Sequence, residues 1–147
     1  MATGLGQTFR AAVYSYLFRG QATPLPANYF ISLHTADPGT DGQTANEASG
    51  GAYARVSVTP GTGAFNAPTA ANPNVMTNNG VITFPTATGA GYSSGAAMTF
   101  FGVWNSSTLT AAANFVGRGS IASQSIVSGN IPSFATGQLS MTVNEGP

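Results

Sequence analysis

Beyond residue 20 the chain is a succession of short apolar runs punctuated by glycine and proline. About seven such runs can be read, and this punctuation is the signature of short antiparallel strands joined by turns. They are Tyr29–Thr35, Tyr53–Thr59, Val81–Phe84, Met98–Trp104, Ala113–Arg118, Ser120–Gln124 and Gln138–Val143. Strand–helix alternation is absent, which argues against a doubly wound parallel fold. The expected class is mainly β: a single antiparallel β-sandwich or barrel-like domain with one N-terminal helix and long loops. The run 98–104 is apolar on both alternating faces, Phe101 and Val103 on one and Phe100, Gly102 and Trp104 on the other. A strand of that kind is covered on two sides, by its own chain or by a partner.

The helix is predicted over residues 1–20. Leu5, Phe9, Ala12, Val13, Tyr16 and Leu17 recur at helical spacing and form one apolar stripe. Thr3 is the expected N-cap, Arg19 suits the negative end of the helix dipole, and Gly20 is a natural left-handed terminator. Pro24 and Pro26 prevent continuation. The β domain is then expected over 27–147, interrupted by a long loop at 60–80 in which Pro, Gly, Asn, Thr and Ala leave few apolar anchors. No internal repeat or interdomain linker is visible, and 147 residues suit one domain.

Charge narrows the function classes. Only 5% of the residues are charged, against about 25% in an average soluble domain. The cations are Arg10, Arg19, Arg55 and Arg118, the anions Asp37, Asp41, Glu47 and Glu145, and the formal net charge is zero. Four scattered arginines make no nucleic-acid footprint. No run of about 20 apolar residues offers a membrane span. The first residues lack the pattern of a secretory signal, so export by that route is not expected. With no cysteine there are no disulfides, thiolate metal sites or cysteine chemistry. A neutral polar surface favours association, and it suits a protein packed among many identical copies that would otherwise repel.

The candidate chemistry is weak. Gly91-Tyr92-Ser93-Ser94-Gly95 matches the nucleophile-elbow pattern of hydrolases, but that motif needs a strand-to-helix turn followed by an acid and then a histidine. The lone His34 precedes the serine, and Glu145 is the only later acid. A glycine-rich hairpin turn is the better reading. Asp37, Asp41, Gly42 and Glu47 resemble a calcium loop only in part, because position three is Gly39 and Glu47 falls one residue short. His34 alone cannot hold zinc. No catalytic residue, metal or cofactor is therefore expected. Arg55 is expected to pair with Asp37 or Glu47 as an exposed structural clamp. Tyr29, Tyr53, Phe65, Tyr92 and Trp104 are the candidate interface anchors.

Several segments resemble one family. They are Leu33-His34-Thr35-Ala36-Asp37-Pro38-Gly39 and, after it, Asn46-Glu47-Ala48-Ser49-Gly50-Gly51-Ala52-Tyr53-Ala54-Arg55-Val56. Leu17-Phe18-Arg19-Gly20, Ile82-Thr83-Phe84-Pro85-Thr86-Ala87, Phe101-Gly102-Val103-Trp104 and Pro132-Ser133-Phe134-Ala135-Thr136-Gly137-Gln138-Leu139 extend the likeness along nearly the whole chain. Together they resemble small tailed-phage virion proteins labelled tail-fibre-like, among them short capsid cement or decoration proteins. The resemblance implies a non-enzymatic bacteriophage structural protein, made in the host cytoplasm and located in the virion. The short body without a repeated shaft, and a 61–80 segment able to lie across neighbouring subunits, point first to a capsid cement protein. Its expected partners are the major capsid protein and further copies of itself, as dimer or trimer, with no nucleic acid and no membrane. A tail fibre or baseplate protein contacting the host surface is the alternative.

Overall fold

The computed structural model describes residues 4–22, 26–71, 73–107 and 114–143. The elements are β1 (Gly4–Leu5), α1 (Gln7–Arg19), β2 (Tyr29–His34), β3 (Val56–Val58), β4 (Asn74–Thr77), β5 (Ile82–Thr83), β6 (Ala97–Trp104), β7 (Phe115–Ser125), β8 (Ser133–Phe134) and β9 (Ser140–Val143). A five-stranded sheet runs in the order β1-β7-β6-β2-β3, and β4 with β9 and β5 with β8 make two short ribbons. Each of these pairings is antiparallel. The mainly-β, antiparallel architecture with one helix near the N-terminus matches the expectation from punctuation.

Register separates the two faces of the sheet. Leu33 pairs with Phe101 and Ile31 with Val103, so these four side chains share the inner face. They pack with Met141, Ile82, Phe134 and Leu139 from the ribbons and the turn that leads into β9. Glycine lets the layers come this close. A methyl group on Gly119 of β7 would stand 2.3 Å from the Ser140 carbonyl oxygen, and one on Gly117 would stand 2.4 Å from the Met141 sulfur. The Phe101 ring lies over Gly119, its register partner, and covers the bare backbone.

The 60–80 segment departs from the loop expectation. It contains β4 and folds back on itself: the Asn66 and Thr69 N–H groups donate to the Thr77 and Val75 carbonyls, at 2.9 and 3.0 Å. Asn78 then locks the segment to the turn that leads into β9. Its amide donates to Gly80 and Ala135 carbonyls and accepts the Leu139 N–H, all within 2.9 Å. Val75 and Met76 are half-buried against β9, and that long-range pairing makes a strand of a locally polar stretch.

Other differences are local. The two expected strands at 113–118 and 120–124 are one strand, β7, because Gly119 continues the ladder with β6. The expected strand at 53–59 is ordered as β only over Val56–Val58. The helix begins later than expected. Leu5 lies in β1, and the Gly6 N–H donates to Val116 O at 2.7 Å before the chain turns into α1. Gly6, without a side-chain cap, occupies the N-cap position. Gly20 ends the helix at φ 62°, with its N–H on the Ser15 carbonyl. The expectations for Thr3, Pro24, Ala113 and Glu145 lie outside the described residues.

Candidate functional site

The outer face of the sheet carries the polar residues of the interior. Alternation along β2 turns Ser32 and His34 away from the core, and β6 places Gly102 and Trp104 beside them. Ser32 Oγ lies 2.7 Å from both Trp104 Nε1 and His34 Nε2. The indole can only donate, so the serine oxygen accepts there and its own hydrogen is available to His34. A methyl group on Gly102 would stand 2.6 Å from Ser32 Oγ, so this cluster requires glycine at that strand position. Burial, with the Arg55 charge adding to it, pushes the His34 imidazole down to about 3, and the ring is neutral at physiological pH.

The segment 46–48 runs along β2 where β3 ends, with Thr35 N–H on Asn46 O and Ala48 N–H on Leu33 O. This carries Glu47 over the sheet. Arg55 grips it bidentately, Nε to Oε1 at 2.7 Å and Nη2 to Oε2 at 2.6 Å, with both side chains only 2% exposed. The guanidinium also donates to Ser106 O at 3.0 Å and lies 4.0 Å from the Trp104 ring centroid. Tyr53 OH donates to Glu47 Oε1 at 3.0 Å and accepts the Leu33 N–H. Burial first, then the Glu47 charge, pushes the Tyr53 hydroxyl pKa well above its ordinary value. The clamp is thus buried, whereas an exposed pair was expected. Asp37 belongs to a different pair: its Oδ1 lies 2.7 Å from Arg118 Nε and accepts the Gly39 N–H.

The intervening glycines and serines close a second contact. Ser93 N–H donates to Ser49 O, and Ser49 N–H donates to Ser93 Oγ. A methyl group on Gly51 would stand 2.4 Å from Gly91 O, and one on Gly91 would stand 2.2 Å from Ile126 O. Three backbone segments therefore stack without side chains between them. Ser93 and Ser94 take left-handed backbone angles, φ 45° and 55°, to complete the turn. The Ser93 hydroxyl is occupied by a backbone N–H, while His34 faces Ser32 in the sheet. Two of the three carboxylates of the acidic loop are occupied by arginine, and among the described residues no three acidic or histidine side chains converge.

The five candidate anchor aromatics are not free surface. Trp104 and Tyr92 are fully buried, the first against Phe115 at 4.8 Å and the second with its hydroxyl on Pro85 O. Tyr53 lies between Phe84 and Tyr92. Tyr29 and Phe65 are half-buried and meet edge to face at 6.3 Å. Trp104 therefore serves the interior, because both faces of β6 are covered by the chain itself, and Tyr92 does so from the turn that precedes β6. The exposed aromatic surface lies on α1 instead. Tyr14, Tyr16, Leu17 and Phe18 are 62%, 59%, 62% and 79% exposed, and no helix residue is fully buried. Of the apolar stripe read in the sequence, Leu5 and Phe9 pack against the core, whereas Val13, Tyr16 and Leu17 are exposed.

Among curated proteins, none matches the chain. The family described as Podophage GP4 fiber I protein gp80 matches residues 4–142. The chain belongs to this fibre I family. The match begins with β1 and runs through α1, the clamp and the ribbons into β9. The segments that suggested a phage virion protein therefore lie within one family-wide unit. In this fibre I family chain, the Glu47-to-Arg55 segment works as a fastening of the fold. Its acid, tyrosine and arginine meet over the sheet, and its glycines admit the 91–93 turn.

Proposed function

We propose that this chain is a non-enzymatic structural component of a tailed-phage particle, of fibre type, acting through its attachment within the virion. The observation that carries the reading is the family match over residues 4–142. The interior chemistry supports it. Glu47, Arg55, Asp37, Arg118, His34 and Ser93 are each engaged with neighbouring parts of the fold. The nearly uncharged surface suits copies held close together, as a dimer or trimer.

A second reading is a capsid cement protein on the outer head surface, bridging subunits of the major capsid protein. The absence of an internal repeat within these 147 residues favours it. The arm invoked for such bridging does not favour it, because 66–77 is folded onto itself and onto β9. Copy number in purified particles, by quantitative mass spectrometry against the major capsid protein, separates the two. A few to a few dozen copies per particle are expected for a fibre. Hundreds would replace the fibre reading with cement, and absence from particles would overturn both.

A further inference from the structure

Among the described residues, the side chains that take up protons in mild acid are His34, Asp37, Asp41 and Glu47, and all four lie in residues 34–47. The segment 35–47 is a strap over the outer face of the sheet. It leaves the end of β2 and returns beside it, tied by the Thr35 N–H on Asn46 O and the Ala48 N–H on Leu33 O. Between these ties Pro38 is fully buried, and a methyl group on Gly42 would stand 2.4 Å from the Phe115 ring. Thr40 O receives the Gln7 N–H, so the strap also holds the first turn of α1. The inner-face core, by contrast, carries no acid and no histidine.

Two ion pairs fasten the strap, one near each end. Asp37 meets Arg118 of β7, and Glu47 meets Arg55, which enters from the segment before β3. Tyr53 adds a hydroxyl on Glu47, and α1 adds only the exposed Arg10 and Arg19. His34 on β2 is fully buried beside this cluster, with Nε2 on Ser32 and Nδ1 without a partner, and the Arg55 charge acts on it. At neutral pH the face is balanced: two guanidiniums, two carboxylates and a neutral imidazole. A proton on Asp37 or Glu47 removes an anion, and a proton on His34 adds a cation. All three act in one direction, and together they leave Arg55, Arg118 and His34 as three cations with no anion between them. Lifting the strap lets water reach these charges, so the open state binds protons that the closed state does not, and acid shifts the population toward it.

We propose that residues 35–47 form an acid-released strap, which lifts from the outer face, unties the start of α1 and opens Trp104 to solvent while the inner-face core stays folded. Opening is local because every tie that acid weakens belongs to the strap, whereas the core is held by apolar burial that acid leaves unchanged. Trp104 is the single tryptophan of the chain and lies against Arg55, so its fluorescence reports the strap. The test measures acrylamide quenching of Trp104 and far-UV circular dichroism on the purified full-length protein, from about pH 7 to about pH 3. Quenching is expected to rise several-fold at pH values where the sheet signal is still unchanged. Asp37→Asn keeps the Oδ1 acceptor for the Gly39 N–H but removes the charge facing Arg118, and it is expected to move the rise to higher pH. Asp41→Asn, on the same strap but facing neither arginine, is expected to leave the rise in place. Quenching that stays flat, that rises only together with loss of the sheet signal, or that responds alike to the two substitutions would each overturn the proposal.

Discussion

Arg55 shows how one residue can organise a whole face of a sheet. Its guanidinium is shared among Glu47, the Ser106 carbonyl and the Trp104 ring, with almost no water contact. Removing one member of such a pair leaves an uncompensated buried charge, so Glu47→Ala or Arg55→Ala is expected to cost about 3–5 kcal/mol in urea denaturation. Replacing both with apolar residues of similar volume is expected to cost less than the sum of the two single changes, which a double-mutant cycle measures. His34 gives the pH dependence. Its folded-state value, about 3, lies below the ordinary 6.5, so the unfolded chain binds a proton that the native ring does not. Stability is therefore full above pH 6.5 and falls as the pH drops toward 3, by up to about 1.4 kcal/mol per pH unit. Denaturation midpoints measured from pH 7 to pH 5, before the carboxylates titrate, are expected to decline in the wild type and to flatten in His34→Gln.

Among the elements, α1 and β6 stand at opposite ends of a range. β6 is paired on both edges and supplies Met98, Phe101, Val103 and Trp104 to the interior, whereas α1 buries none of its residues. Opening free energies follow burial. In hydrogen exchange on the purified protein, amides of α1 are expected to exchange orders of magnitude faster than those of β6. The helix was legible in sequence as an element, with its terminator at Gly20, but its orientation was not. Periodicity locates an apolar face without saying which surface covers it. β4 was illegible for a different reason. Asn74-Val75-Met76-Thr77 is too short to alternate convincingly, and its partner strand, β9, lies at the far end of the chain.

Over the whole molecule, the spacing between the large sheet and the ribbons depends on backbone contacts at glycines. Gly119 is the sharpest case, because a methyl group there meets the Ser140 carbonyl oxygen on one side and the Phe101 ring on the other. Its backbone is not left-handed, so the effect of substitution is one of packing alone. Gly119→Ala is expected to lower stability by about 1–3 kcal/mol, read as a shift in the urea midpoint at unchanged slope. The same surface-poor, close-layered construction explains how a chain with few charges and no cysteine holds a defined interior. The buried Glu47–Arg55 pair, the partly exposed Asp37–Arg118 pair and a serine–tryptophan–histidine cluster supply polar fastening, and the remaining polar surface is left neutral.

By itself the sequence determined the β class, the positions of β2, β6 and β9, the glycine stop of the helix and the segments that mark the phage family. These are local properties, encoded in period-two alternation, turn residues and short motifs. Tertiary structure alone decided that Glu47 rather than Asp37 receives Arg55, that Trp104 and Tyr92 are interior, that 66–77 folds back, and that the helix leaves Val13, Tyr16 and Leu17 exposed. Each of these is a choice among distant partners. It is settled by which pairing buries apolar surface while leaving the buried charges and most buried polar atoms satisfied, and no local pattern carries that information.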